Sequence, residues 1–188
     1  MRLGVLASGT GTILEAILSE GIDVALVIVD RPCRAVDVAT DHGVKAEVIE
    51  RSQWDDEFDR AAFSQIVVDC LRAHEIDVVA MAGYGTVLAQ PVFDAYAGRI
   101  LNTHPSLLPA FPGWHSVREA LEHGVKLTGC TVHIATVDVD AGPILAQEAV
   151  EVRPDDTVDS LHERIKSVER TLYPATIRSF VGELENNA

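Results

Sequence analysis

Short apolar runs alternate along this chain with stretches whose apolar residues recur at helical spacing. The runs Leu3–Ala7, Val24–Val29 and Val78–Ala82 are almost continuously apolar, which is typical of strands buried on both faces of a sheet. Helical patterns separate them, and the clearest covers about 57–74. This β-α-β-α order predicts an α/β fold, a doubly wound and mostly parallel sheet with helices on both faces.

The remaining patterns extend the predicted sheet and add a long helix at its end. Further strands are predicted over Ala46–Ile49, Ile100–Asn102, Cys130–Ala135 and Ile144–Val150, and further helices over Ile13–Leu18, Ala35–His42 and Val117–Glu122. A C-terminal helix is predicted over about 157–182, with Asp156 as its N-cap and with Pro174 kinking or splitting it. No repeat or flexible linker interrupts the pattern, so residues 1–188 are expected to form a single domain.

The composition argues against several classes of partner. A formal net charge of −14 does not suit nucleic acid, and any anionic substrate must be captured by local donors. No apolar run approaches the roughly 20 residues that span a membrane. Cys33, Cys70 and Cys130 lie far apart, which indicates neither a disulfide framework nor a zinc ribbon. We therefore expect a cytoplasmic protein that acts on small molecules.

Ligands of doubly wound folds bind at the carboxyl ends of the strands, where two glycine-containing segments fall. Ser8–Thr12 follows the first strand, and backbone amides at such a helix start are suited to phosphate. Ala82–Leu88 follows another strand, where glycines permit close approach of a ligand and Val87 and Leu88 offer an apolar wall. A plain turn explains this second segment equally well.

The segment from Asn102 to Gly113 carries the most chemical information. Asn102 and His104 are two residues apart at a predicted strand end, and three prolines stiffen the loop that follows. This arrangement suits a reaction that needs a hydrogen-bond donor and a proton-transfer group at one carbonyl. Asp140, in a turn between two later strands, is predicted to lie opposite His104, although that turn also has an ordinary turn composition.

Two more histidines bear on the same region. His133, in the strand before that turn, could also point at the site, and a metal site could be assembled on paper from His104, His115, His133 and Asp140. No metal-binding spacing supports that assembly, so no metal is expected.

These residues carry a resemblance that covers essentially the whole chain. Asn102–Pro109 (Asn-Thr-His-Pro-Ser-Leu-Leu-Pro), Val132-His133 and Asp140–Ile144 resemble the folate-dependent formyltransferases, which have a Rossmann-like fold. The continuation Phe111-Pro112-Gly113 resembles the branch that acts on phosphoribosylglycinamide. The resemblance implies transfer of the formyl group of 10-formyltetrahydrofolate to the amine of 5'-phosphoribosylglycinamide in de novo purine synthesis. It implies no metal.

The resemblance also assigns residues. It implies that Asn102, His104 and Asp140 are catalytic; that Gly11, Thr12, Ile13 and Glu169 bind phosphoribosylglycinamide; and that Arg60, Gly85, Thr86, Val87, Leu88 and Asn102 bind the folate. The phosphate-binding part is then about 1–100 and the catalytic and folate-binding part about 80–150. Many relatives have Met-Arg where this chain has Gly85-Thr86, and Asn where it has Ile13.

Other functions stay open at this point. A 10-formyltetrahydrofolate hydrolase would use similar catalytic residues with water as acceptor, but such enzymes usually carry an additional regulatory domain. A sugar-nucleotide N-formyltransferase and a methionyl-tRNA formyltransferase are further relatives, the latter with an RNA-binding domain. A non-catalytic nucleotide-binding module is the alternative from another class, and the trio Asn102, His104 and Asp140 argues against it. Both a monomer and a homodimer are compatible with the sequence.

Overall fold

The structure, a computed structural model that describes residues 1–51, 55 and 57–187, contains seven strands and six helices within those residues. In chain order these are β1 (Leu3–Ala7), α1 (Thr12–Ser19), β2 (Val24–Val29), α2 (Arg34–Asp41), β3 (Ala46–Val48), α3 (Arg60–Ala73), β4 (Val78–Met81), α4 (Gln90–Ala95), β5 (Ile100–His104), α5 (Ser116–Glu122), β6 (Leu127–Ile134), β7 (Ile144–Glu151) and α6 (Val158–Asn186). None of the helices in this described part is both long and apolar enough to cross a membrane.

All seven strands belong to one sheet with the order β3-β2-β1-β4-β5-β6-β7. The strands from β3 to β5 pair in parallel, whereas β6 pairs antiparallel with both β5 and β7. The predicted mostly parallel sheet is therefore confirmed, with an antiparallel edge. Because β5 joins the two parts, its carboxyl end lies beside both the parallel strand ends and the antiparallel hairpin of β6 and β7.

The alternation of side chains along β1 shows how both faces of the sheet are covered. Leu3, Val5 and Ala7 belong to an apolar core shared with α1, α2 and α6. Leu6 points to the opposite face, into a second core shared with α3 and α4. Successive strand residues face opposite sides, so a strand buried on both faces reads as one continuous apolar run. The prediction of helices on both faces is confirmed.

Helix α6 differs from the prediction at both of its marked residues. Its N-cap is Thr157, whose hydroxyl accepts from Ser160 N–H while the Ser160 hydroxyl accepts from Thr157 N–H, a reciprocal capping box. The predicted cap Asp156 instead binds the Arg164 guanidinium. Pro174 does not split the helix, which runs unbroken over 29 residues, because Tyr173, Pro174 and Ile177 on the same stretch are buried.

Three other differences bear on the site. Strand β5 runs two residues further than predicted, to His104, so Asn102 and His104 lie on the strand and share one of its faces. Helix α3 begins at Arg60 rather than near residue 57, because the Asp59 carboxylate accepts from Ala62 N–H and caps it there. The short helix α4 over Gln90–Ala95 was not predicted.

Candidate active site

A cavity of about 410 Å³ opens at the carboxyl end of the parallel strands. It is lined by the loops that follow β1 and β4, by the end of β5 and the loop after it, by β6 and the turn before β7, and by α6. This is the place where doubly wound folds bind ligands. The three residues expected to be catalytic, Asn102, His104 and Asp140, all lie in its wall.

Asn102 is oriented by the neighbouring strand. It is the direct cross-strand partner of His133, and its Nδ2 lies 3.1 Å from His133 Nε2. His133 Nδ1 lies 3.0 Å from the Ile134 carbonyl, which can only accept a hydrogen bond. In the neutral ring Nδ1 therefore carries the proton and Nε2 accepts from the Asn102 amide. His133 therefore lines the cavity and contacts the Asn102 amide.

His104 faces an oxygen atom with each of its ring nitrogens. Nδ1 lies 3.3 Å from Asp140 Oδ2, and Nε2 lies 2.8 Å from the carbonyl oxygen of Phe111. The Phe111 carbonyl can only accept, so Nε2 carries a proton, and a proton on Nδ1 would face the Asp140 carboxylate at ion-pair distance. The expected opposition of His104 and Asp140 is therefore present. The contact with Phe111 was not predicted, since it depends on the path of the proline-rich loop.

Asp140 is held as a carboxylate on a strained turn. Its φ of 56° lies in the left-handed region, which aspartate tolerates better than most residues. Oδ2 accepts from Gly113 N–H at 2.8 Å, and Oδ1 lies 3.6 Å from His133 Nε2. Burial raises the pKa of Asp140, but the hydrogen bond from Gly113 N–H and the neighbouring His104 outweigh burial and hold the pKa below its usual value. Asp140 is therefore ionised and places a negative charge beside His104.

The predicted phosphate loop lines the cavity next to this trio. Gly11, Thr12 and Ile13 form the start of α1, where backbone N–H groups lack partners within the helix. Gly11 has φ of +73°, and a Cβ there would lie 3.0 Å from Ala35 Cα, so only glycine fits without strain. The Ile13 side chain is 7% exposed and packs in the core, which leaves the backbone of this loop to face a ligand.

The residues expected to contact the folate divide into two groups. Val87 and Leu88 line the cavity, and so does Thr86, whose hydroxyl donates to the buried Asp30 carboxylate at 2.8 Å. Gly85 is not part of the lining and donates its N–H to Ser8 Oγ. Arg60 is exposed at the first turn of α3 and is also outside the lining.

Helix α6 presents a polar face to the cavity. Glu169 lies in the wall, together with His162 and Lys166, which sequence reasoning did not assign. Their spacing of four and three residues places them on one helix face, and this was the signal that could have found them. Burial raises the pKa of Glu169 to about 7, against a weaker lowering by a hydrogen bond with the Thr103 hydroxyl. Burial, aided by the charge of Lys166, lowers the pKa of His162.

The mouth of the cavity is apolar. Trp114, Val137 and Val139 line it and are 70%, 48% and 54% exposed, respectively. Exposed apolar side chains gathered around a cavity are typical of a binding site for a ligand with a flat apolar part. Among the described residues no group of three or more histidine, cysteine or acidic side chains is placed to hold a metal ion. His115 lies outside the lining.

Comparisons with known proteins agree on one family. The family model described as Formyl transferase matches residues 1–177. Phosphoribosylglycinamide formyltransferase from Mycobacterium tuberculosis is 43% identical over 181 residues, covering 94% of this chain and 83% of that protein. Trifunctional purine biosynthetic protein adenosine-3 from Bos taurus is 38% identical over 184 residues, which cover 94% of this chain and 18% of that protein.

Solved structures show the same relationship in three dimensions. The structure of glycinamide ribonucleotide transformylase 1 from Symbiobacterium toebii superposes with a TM-score of 0.91 at 44% sequence identity, covering 97% of this chain and 88% of that one. Together with the family match over nearly the whole sequence, this means that the chain belongs to the formyl transferase family.

Proposed function

We propose that this protein is a phosphoribosylglycinamide formyltransferase, which moves the formyl group of 10-formyltetrahydrofolate to the amine of 5'-phosphoribosylglycinamide in purine synthesis. The observation that carries the proposal is the convergence of Asn102, His104 and Asp140 beside a loop of backbone amides in one cavity. The amides suit the phosphate of the acceptor, and the trio suits an acyl-type transfer. The Mycobacterium tuberculosis relative, 43% identical, carries that name.

Asn102 stabilises the charge that develops during the reaction. The amine nitrogen attacks the formyl carbon, and the electron pair of the carbonyl bond moves to its oxygen. One N–H of Asn102 is held by His133, so the amide is fixed and its other N–H can donate to that oxygen. One such donor contributes a factor of about 10²–10³ to the rate.

His104 supplies the proton that the departing folate nitrogen needs. The bond between the formyl carbon and that nitrogen breaks as the nitrogen takes a proton from the imidazolium. The attacking nitrogen, positively charged after the attack, gives one of its protons to the imidazole that remains and so restores the imidazolium. Nε2 hydrogen-bonds to the neutral Phe111 carbonyl, whereas Nδ1 faces the charged Asp140 carboxylate at ion-pair distance, and that charge attracts the Nδ1 proton more strongly. The proton facing the Phe111 carbonyl is therefore the one exchanged with substrate, while Asp140 keeps the ring oriented and charged.

The two substrates occupy opposite sides of the cavity in this proposal. The backbone at Gly11, Thr12 and Ile13 binds the phosphate, and Glu169 faces the glycinamide half of the acceptor. Thr86, Val87 and Leu88 form the wall for the folate rings, next to the exposed apolar side chains at the cavity mouth. Gly85 and Arg60 stand outside the lining and would contact the parts of the folate that extend beyond it.

A direct assay tests the proposal. The purified protein is mixed with 10-formyltetrahydrofolate, with and without phosphoribosylglycinamide, and release of tetrahydrofolate is followed. Release that requires the acceptor is the expected result, together with formylated acceptor in equal amount. Release without the acceptor would instead identify a hydrolase, and binding without release would identify a nucleotide-binding module.

A further inference from the structure

The cavity offers little positive charge to its two anionic substrates. Lys166 is the one lysine or arginine among the described residues that line it, in a protein of net charge −14. The proposed acceptor carries a phosphate, which the amides at 11–13 and Lys166 can serve. The proposed folate carries the two carboxylates of its glutamate tail. Arg60, outside the lining, can serve one of them, and a second cation is then needed for the other.

Arg31 lies at the edge of this cavity, directly over Gly85. A Cβ atom on Gly85 would come within 2.7 Å of Arg31 Nη2, so the glycine makes room for the guanidinium. The residues on either side of Gly85, Tyr84 and Thr86, both line the cavity. Arg31 is therefore one residue away from the cavity wall.

A buried carboxylate fixes the direction of this guanidinium. Arg31 Nε and Nη2 lie 3.0 Å and 3.3 Å from the two carboxylate oxygens of Asp30, a two-point contact. Asp30 is fully buried and is itself anchored by the Thr86 hydroxyl at 2.8 Å. The Arg31 side chain nevertheless stays 39% exposed. A planar guanidinium that is held in place and reachable from solvent is suited to binding a carboxylate.

We propose that Arg31 binds the carboxylate of the glutamate tail of 10-formyltetrahydrofolate, an inference that rests on the proposed function. Gly85 begins the segment whose Val87 and Leu88 form the apolar wall, so a folate with its rings on that wall has its tail within reach of this edge. The cavity of about 410 Å³ lies near the low end of the range of about 300 to 1,000 Å³ for the pocket of a single ligand, so it does not enclose two such substrates completely. A charged tail that extends past the rim meets Arg31 there.

Steady-state kinetics with a shortened co-substrate tests this assignment. Arg31→Met is compared with Arg34→Met, which removes an exposed arginine three residues away, and thermal melting checks that each variant is folded. Michaelis constants are measured for 10-formyltetrahydrofolate, for 10-formyltetrahydropteroate, which lacks the glutamate, and for phosphoribosylglycinamide. Arg31→Met should raise KM for the full folate about tenfold and leave KM for the shortened folate and for the acceptor unchanged. Arg34→Met should change none of them.

The other results overturn the assignment. An equal rise in KM for both folates would mean that Arg31 does not bind the glutamate tail. A rise only in the KM for phosphoribosylglycinamide would mean that Arg31 binds the phosphate of the acceptor. If Arg31→Met does not fold, Arg31→Lys and Gly85→Met, which would displace the guanidinium, are measured instead, with the same selective rise expected. A wild-type protein without any transfer would refute the proposed function itself, whereas active wild type with unchanged constants in the variants refutes Arg31 alone.

Discussion

His133 Nε2 lies 3.1 Å from Asn102 Nδ2, across the only antiparallel pairing that β5 makes in the described sheet. The parallel neighbour on the other side, β4, is apolar, so the orientation of the Asn102 amide depends on this one strand pair. In the proposed mechanism His133 is a positioning residue, because it contacts the amide that would meet the substrate.

Replacing His133 with leucine should lower kcat more than it changes either KM. Leucine removes the acceptor that fixes the Asn102 amide, and a donor that is not held in place loses much of its factor of about 10²–10³. His133→Gln restores an acceptor and should recover part of the loss. His115→Gln, at an exposed position outside the lining, is the matched control and should keep full activity. Equal rates for His133→Leu and the control would contradict this role.

Asp140→Asn should reduce turnover strongly while the fold survives. Asparagine keeps the shape and tolerates the φ of 56°. The change removes the charge beside the His104 ring and replaces one acceptor oxygen by a donor, while the remaining oxygen can still accept from Gly113 N–H. His104→Ala removes the proton donor itself and should cost about 10²–10⁴-fold in kcat. Rates near wild type in both variants, with circular dichroism unchanged, would refute the mechanism.

Glu169 should make the protein less stable as pH rises through the neutral range. Its pKa is raised from 4.5 to about 7, so the folded protein binds the proton more tightly than the unfolded chain does. The contribution of this proton to the free energy of unfolding is complete below about pH 4.5. It is lost as the pH rises to about 7, and the loss is about 3 kcal/mol in total. Urea unfolding of wild type and Glu169→Gln at several pH values measures it. The free energy of unfolding of Glu169→Gln should rise relative to that of wild type between about pH 4.5 and pH 7. A difference between the two proteins that does not change with pH would contradict the prediction.

Gly11→Ala should weaken both the fold and the binding of the acceptor. A non-glycine residue at φ of +73° costs about 1–2 kcal/mol, and the new Cβ would press on Ala35 Cα at 3.0 Å. The loop must shift, which displaces the amides that face the phosphate. Gly21→Ala has a similar φ of +71° with no atom within 4 Å of its Cβ, so it controls for backbone strain alone. KM for phosphoribosylglycinamide should rise in Gly11→Ala and stay unchanged in Gly21→Ala.

Much of the fold could be predicted from the sequence because a strand buried on both faces leaves a direct trace in the chain. The first apolar run was predicted as Leu3–Ala7 and is strand β1 with those bounds. Helix α6 could not be delimited in the same way: the local effect of Pro174 was outweighed by the burial of Leu161, Ile165, Tyr173 and Ile177. Local rules describe the cost of a proline but not the packing that offsets it.

The sequence predicts site residues only where one general rule applies, namely that ligands of doubly wound folds bind at the carboxyl ends of the strands. That rule brought Asn102 and His104 to the carboxyl end of the sheet, and Asp140 was expected opposite them. The Phe111 carbonyl and the position of Arg31 over Gly85 depend instead on the paths of two loops, which no periodicity describes.

The backbone of Phe111 has one more consequence for the free protein. With φ of 53° a bulky residue is in a region it rarely adopts, and in that conformation its carbonyl reaches His104. The His104 ring therefore has a fixed orientation before a substrate binds, because Nε2 contacts the Phe111 carbonyl and Nδ1 faces Asp140. A substrate nitrogen that takes the place of the Phe111 carbonyl therefore meets an Nε2 proton that already points toward it. A water molecule that enters without a substrate must compete with the Phe111 carbonyl for the same proton.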